Sequence, residues 1–162
     1  MNRSRLKCFG IFLALFCFWT SLALAAGRKP VKAKPKDKCP VCGMFVAKYP
    51  DFAAQIQFSD GSTVHFDGTK DMFKYYLELS RYAPGRKAAD IAAIFVSNYY
   101  DLTMVDGFKA FYVSGSDVYG PMGRELIPFS RESTARDFLN DHKGRSILRF
   151  HEITPGVVKS LD

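Results

Sequence analysis

Cysteine is scarce in this chain, and its absences are informative. Of four cysteines in 162 residues, Cys8 and Cys17 fall within the first 25, so only Cys39 and Cys42 stand in the remainder. Two cysteines three positions apart close too small a loop to stabilise a fold appreciably, which excludes a disulfide-stapled scaffold. Histidine is equally sparse: His65, His142 and His151 are scattered, none in an H-x-x-x-H pattern, and there is no second C-x-x-C. A closed structural zinc site with four Cys or His ligands therefore lacks its donors. Past residue 25 no apolar run is long enough to span a bilayer, which takes roughly 20 residues. An excess of basic over acidic charge is also missing from most of the chain. The formal net charge is +7, but three basic residues lie in the first 25 positions, and residues 26–38 hold six more against Asp37. Residues 39–162 are left at −1. A nucleic-acid groove spreads Lys and Arg among aromatics across the fold, so nucleic acid is excluded as a partner.

The N-terminus has its own signature. Arg3, Arg5 and Lys7 precede an apolar run over residues 8–19, followed by Ala23-Leu24-Ala25. A charged start, a short greasy stretch and an A-x-A site predict a signal peptide over residues 1–25, with the mature chain beginning near Ala26 in the periplasm or outside the cell. Membrane association follows only if this N-terminus stays uncut. Neither Cys8 nor Cys17 stands at a lipoprotein cleavage site. Residues 26–38 alternate Lys with Pro30 and Pro35 and predict a linker, a disordered or extended tether dispensable for metal binding.

Residues 39–162 suffice for one domain with its own core, and the chain is rich in aromatics, with 15 Phe and 8 Tyr. Residues 54–58 and 63–66 alternate around Asp60-Gly61, which predicts a β-hairpin. Asp67 or Thr69 is placed to cap a helix with Met72, Phe73, Tyr76 and Leu77 on its apolar face. Residues 94–99 read as a strand. The plan then repeats: a strand at 111–113, a longer loop carrying Pro121-Met122-Gly123, a strand at 126–129, a helix capped by Ser130 or Ser133 through Ala135 and Phe138, and a strand at 147–150. The expected fold is α+β, with two ββαβ-like units fused in one domain.

Chemistry concentrates in Cys39-Pro40-Val41-Cys42-Gly43-Met44. Two thiols at C-x-x-C spacing can reach one ion, and thiolate with thioether is a soft donor set that prefers Cu(I). Zinc is the nearest competing metal, in a zinc-binding structural module. A rival of another class is an exported thiol–disulfide oxidoreductase using Cys39 and Cys42. That class places its first cysteine at a helix N-terminus, whereas Gly43 and the aperiodic residues 45–50 follow here. Met72 reads as core and Met104 as ambiguous. Met122, between Pro121 and Gly123, is either a presented thioether or a loop residue. His65 reads as an ordinary surface histidine.

Cys42-Gly43-Met44, Ala54-Gln55-Ile56, Phe66-Asp67, Pro121-Met122-Gly123, and then Phe129, Ala135 and Phe138 together resemble the NosL family, over residues 39 to 152. These are accessory proteins of nitrous oxide reductase maturation. The resemblance implies two ββαβ units, no enzymatic activity, Cu(I) binding, and copper delivery outside the cytoplasm to nitrous oxide reductase or another copper enzyme. It carries ligand roles onto Cys42, Met44 and Met122; the C-x-x-C spacing, not the resemblance, adds Cys39 as a fourth or exchanging ligand. The chain departs from the family pattern in lacking a lipidation cysteine and in carrying Cys39, where many members have only the second cysteine. The opening also resembles small YHS-type metal-binding domains, but the further cysteine of that pattern is missing.

Overall fold

The computed structural model describes residues 27–162, so the signal peptide expected over residues 1–25 lies outside the described residues. Strands β1 (Ala54–Phe58) and β2 (Thr63–Phe66) form the expected hairpin, with Ile56 opposite Val64 and Gly61 in the turn. Helix α1 (Thr69–Leu77) follows, with a short α2 (Leu79–Tyr82). Strand β3 (Ile91–Ser97) returns antiparallel beside β1, and a short β4 (Met104–Asp106) completes a four-stranded sheet in the order β2-β1-β3-β4. The second unit contains β5 (Phe111–Gly120), β6 (Gly123–Phe129), α3 (Glu132–Asp141) and β7 (Ser146–Arg149), in a sheet ordered β6-β5-β7. Helix α4 (Pro155–Lys159) closes the chain against α1. The two ββαβ units of the expected α+β fold are present, with β4 between them.

Strand alternation explains how the units fuse. Successive residues of β5 and β6 point to opposite faces. Tyr112 and Leu126 join a large core with Ile56, Phe66, Met72 and Phe73, while Val113, Ile127 and Phe129 join a smaller one with Ala135 and Phe138. Helix α1 thus lies between the first sheet and β6, with Phe73 edge-on to Tyr112 at 5.2 Å. Full burial of Met72 settles it as core. Among the described residues no helix is long and apolar enough to cross a membrane.

Four expectations are corrected. Residues 27–38 do not hang loose: Val31 exchanges two hydrogen bonds with the Gln55 side chain, at 2.9 and 3.0 Å, and Gln57 donates to the Lys29 carbonyl at 2.7 Å. Extended backbone offers unpaired N–H and C=O groups, and two buried glutamines satisfy them as a neighbouring strand would. The same segment covers His65, whose side chain is 10% exposed with Nε2 3.8 Å from Asp37, so it is not a free surface histidine. Burial lowers its pKa, with Asp37 opposing. Neither long helix takes its expected side-chain cap: Gly68 is the N-cap of α1 and Arg131 that of α3. Finally, the longer loop around Met122 is a tight hairpin. Strands β5 and β6 run up to the pair Gly120–Gly123 and leave only Pro121 and Met122 at the tip.

Candidate metal centre

Residues 38–45 form a closed turn. Lys38 bridges to Phe45, Cys39 N–H donates to the Met44 carbonyl at 2.9 Å, and Gly43 N–H donates to the Cys39 carbonyl at 2.8 Å. Gly43 has φ +79°, the left-handed region that glycine enters without steric cost, so the chain can reverse directly behind Cys42. The turn packs its thiols onto the start of α1. Cys39 is buried and Cys42 half-buried, and the two are not joined by a disulfide.

The thiols meet two carboxylates there. Cys39 Sγ donates to Asp71 Oδ2 at 3.3 Å, and Cys42 Sγ to Asp67 Oδ1 at 3.2 Å. Both aspartates are buried, Asp67 at the strand-to-helix joint and Asp71 in the first turn of α1. One donor atom from each of Cys39, Cys42, Asp67 and Asp71 lies within 4.8 Å of all the others, which is the compactness a single ion requires. Burial, with the carboxylates beside them, pushes both thiols up: Cys42 to about 12, and Cys39 further. Metal binding here must release the thiol protons. The same shift argues against disulfide chemistry. A nucleophilic cysteine needs a lowered pKa and access, usually from a helix N-terminus, whereas Cys39 is 1% exposed and sits in a turn.

Beside the cluster runs an open cleft of about 530 Å³, lined by Val41, Cys42, Asp71 and Lys74 on one side and by Met122 and residues of α4 on others. Met122 is 44% exposed at its hairpin tip. Two residues separated by 80 positions, Cys42 and Met122, therefore face one cavity. Met44 is half-buried in the turn and is not among the residues lining that cleft.

Sequence reasoning misses Asp67 and Asp71 as site residues. A carboxylate just before a helix commonly caps it, and that local role is the one the sequence suggests for Asp67. No local signal marks the pair, because Asp67 precedes the Gly68 cap and helical spacing does not tie it to Asp71 in the first turn.

Comparison with known proteins agrees with this architecture. The NosL family model matches residues 30–158. The copper-binding lipoprotein NosL of Stutzerimonas stutzeri is 29% identical over 139 residues, covering 81% of this chain and 69% of that protein. The crystal structure of the copper chaperone NosL from Shewanella denitrificans superposes with a TM-score of 0.67 at 22% identity, over 79% of this chain and 97% of that one. The solution structure of apo-NosL from Achromobacter cycloclastes gives a TM-score of 0.46 at 29% identity, over 65% and 87%. With its two ββαβ units and most of its length matched, this chain belongs to the NosL family.

Proposed function

We propose that this protein is an exported, non-enzymatic carrier that binds Cu(I) and passes it to a recipient copper protein. The observation that carries the reading is the convergence of Cys39 and Cys42 on one cluster at the wall of an open cleft. Two thiolates supply soft donors, and thioethers from Met44 and Met122 extend the set with ligands that favour Cu(I) over hard divalent ions. Names of the relatives, a copper-binding lipoprotein and a copper chaperone, support the same cargo. An open site suits transfer, because a partner's ligand can enter before the carrier's own ligands leave. Nitrous oxide reductase is the recipient that the family suggests, and the N-terminal pattern supports delivery in the periplasm.

A second reading has its own observation. Asp67 and Asp71 complete a Cys2Asp2 group, and four such donors also suit tetrahedral zinc. The two readings separate in one titration. The reduced chain, free of oxygen, is loaded with Zn(II) and then titrated with Cu(I) from a chromophoric chelator. One Cu(I) bound per chain with zinc expelled supports the carrier reading. Zinc retained against excess Cu(I) overturns it in favour of the structural module.

A further inference from the structure

Helix α1 begins without a side-chain cap of its own, since Gly68 holds the N-cap position. Its acceptor comes from the other unit. Glu125 on β6 is 3% exposed, and its Oε1 accepts the N–H of Lys70, in the first turn of α1, and that of Leu126 at 2.8 Å. An orphan helix N–H is thereby satisfied across 55 residues of sequence. Glycine lines the contact on both sides. A Cβ on Gly68 would collide with Glu125 Oε2, and one on Gly120 would come within 3.2 Å of Glu125 Cγ and Oε2.

Lys70 returns the contact. It is 2% exposed, and its Nζ donates to the Met122 carbonyl at 2.8 Å and to the Leu161 carbonyl at 3.3 Å, with Asp162 Oδ1 at 3.4 Å. The hairpin that presents Met122 is therefore tied at two points to the helix start that presents Asp71. Neither Glu125 nor Lys70 lines the cleft. A ligand on an exposed two-residue tip loses affinity to the entropy of ordering it unless the surroundings fix it beforehand.

We propose that Glu125, with Lys70 as its return contact, is a positioning pair that holds the Met122 thioether against the cysteine cluster and makes one soft-metal site out of two units. The proposal rests on the reading of Met122 as a ligand. By trans-capping α1, Glu125 also leaves Asp67 free of capping duty to face Cys42.

A double-mutant cycle on the full reduced chain tests this, with Cu(I) affinity read against a chromophoric chelator and sulfur coordination read by X-ray absorption at the copper edge. Glu125→Ala is expected to weaken Cu(I) about tenfold, the scale of losing an outer-shell support, and Met122→Leu, which removes the ligand itself, at least as much. The double variant is expected to bind no more weakly than Met122→Leu alone. Glu125→Ala should also lose one sulfur neighbour at copper, and Glu125→Gln, which keeps an acceptor oxygen, should restore both readouts. If Glu125→Ala weakens binding equally in the Met122→Leu background, or not at all, the positioning role is overturned while Met122 stands as a ligand. If Met122→Leu itself leaves affinity and sulfur count unchanged, the ligand reading fails and the positioning role falls with it. Should Glu125→Ala not fold, Lys70→Leu takes its place in the same cycle, where the same results support or overturn the role.

Discussion

The two ββαβ units share a plan but divide the labour. In the first, the joint between strand and helix carries Asp67, fully buried and hydrogen-bonded to Cys42. In the second, the matching joint carries Ser130, which is exposed and whose N–H donates to the Asn98 side chain. Helix α1 buries Thr69, Lys70, Asp71, Met72, Phe73 and Tyr75, whereas α3 buries only Ala135 and Phe138. Polar groups tolerate such enclosure only when paired, and α1 pairs them with cysteines, with Glu125 and with the Met122 hairpin. The second unit is thus a conventional amphipathic half that lends one hairpin. The first is built around a polar centre that needs the other half to be complete.

The largest test of that division is stability. Phe138 is fully buried against Phe129, Tyr99 and His142. Phe138→Ala should cost about 3–5 kcal/mol in denaturant unfolding. Cu(I) stoichiometry should stay unchanged where the variant is folded, and a lost site would mean that the small core of the second unit, and not only its hairpin, shapes the metal cluster.

Within the first unit, Cys42→Ser should weaken Cu(I) binding by about 100-fold, near 2.7 kcal/mol. Cys39→Ser should cost less, because Cys42 lines the cleft and Cys39 does not. Equal losses in chelator competition would indicate a symmetric dithiolate.

The contact between units should be visible in pH dependence. Burial raises the Glu125 carboxyl to about 8, with its backbone donors and Lys70 opposing. Folded protein then keeps a proton that the unfolded chain, with an ordinary carboxyl near 4.5, releases. The stabilisation is complete below about pH 4.5 and is lost as pH rises toward 8. Denaturant stability should fall by about 2 kcal/mol from pH 5 to pH 7, since one unit of pKa is worth about 1.4 kcal/mol. Glu125→Gln should flatten that slope. An identical slope in the variant would assign it to other groups.

A smaller effect should separate the metals. Asp67→Asn removes a hard donor, so zinc affinity should fall about tenfold while Cu(I) affinity changes far less. Equal losses, by competition titration, would make the carboxylate a ligand for both. Smallest of all for the metal, deleting residues 27–33 removes three hydrogen bonds to Gln55 and Gln57, each worth about 1 kcal/mol net. Cu(I) affinity should be unaffected, and a loss in the same titration would extend the site to the N-terminal segment.

Legibility in the sequence follows range. The β1–β2 hairpin can be read because alternation and Asp60-Gly61 act within a dozen residues, and α1 because its apolar residues recur with the helical period. The hairpin at Met122 is harder: Gly115 and Gly120 interrupt the apolar alternation of β5, so its outer half resembles loop. Capping misleads for a related reason. Asp67, Thr69, Ser130 and Ser133 are all competent caps locally, and nothing nearby shows that α1 is capped from β6.

By itself the sequence determined the turn that holds Cys39, Cys42 and Met44, since glycine and close spacing fix such geometry locally. It also determined the two repeated units, through periods that the backbone imposes. Only the tertiary structure decided that Asp71 would meet Cys39 across 32 residues, Asp67 meet Cys42 across 25, and Glu125 meet the start of α1 across 55. Burying α1 between two sheets strips its polar groups of water, and each must then find whatever partner the packing brings within reach. That choice is made by how the halves fit together, which no local pattern records.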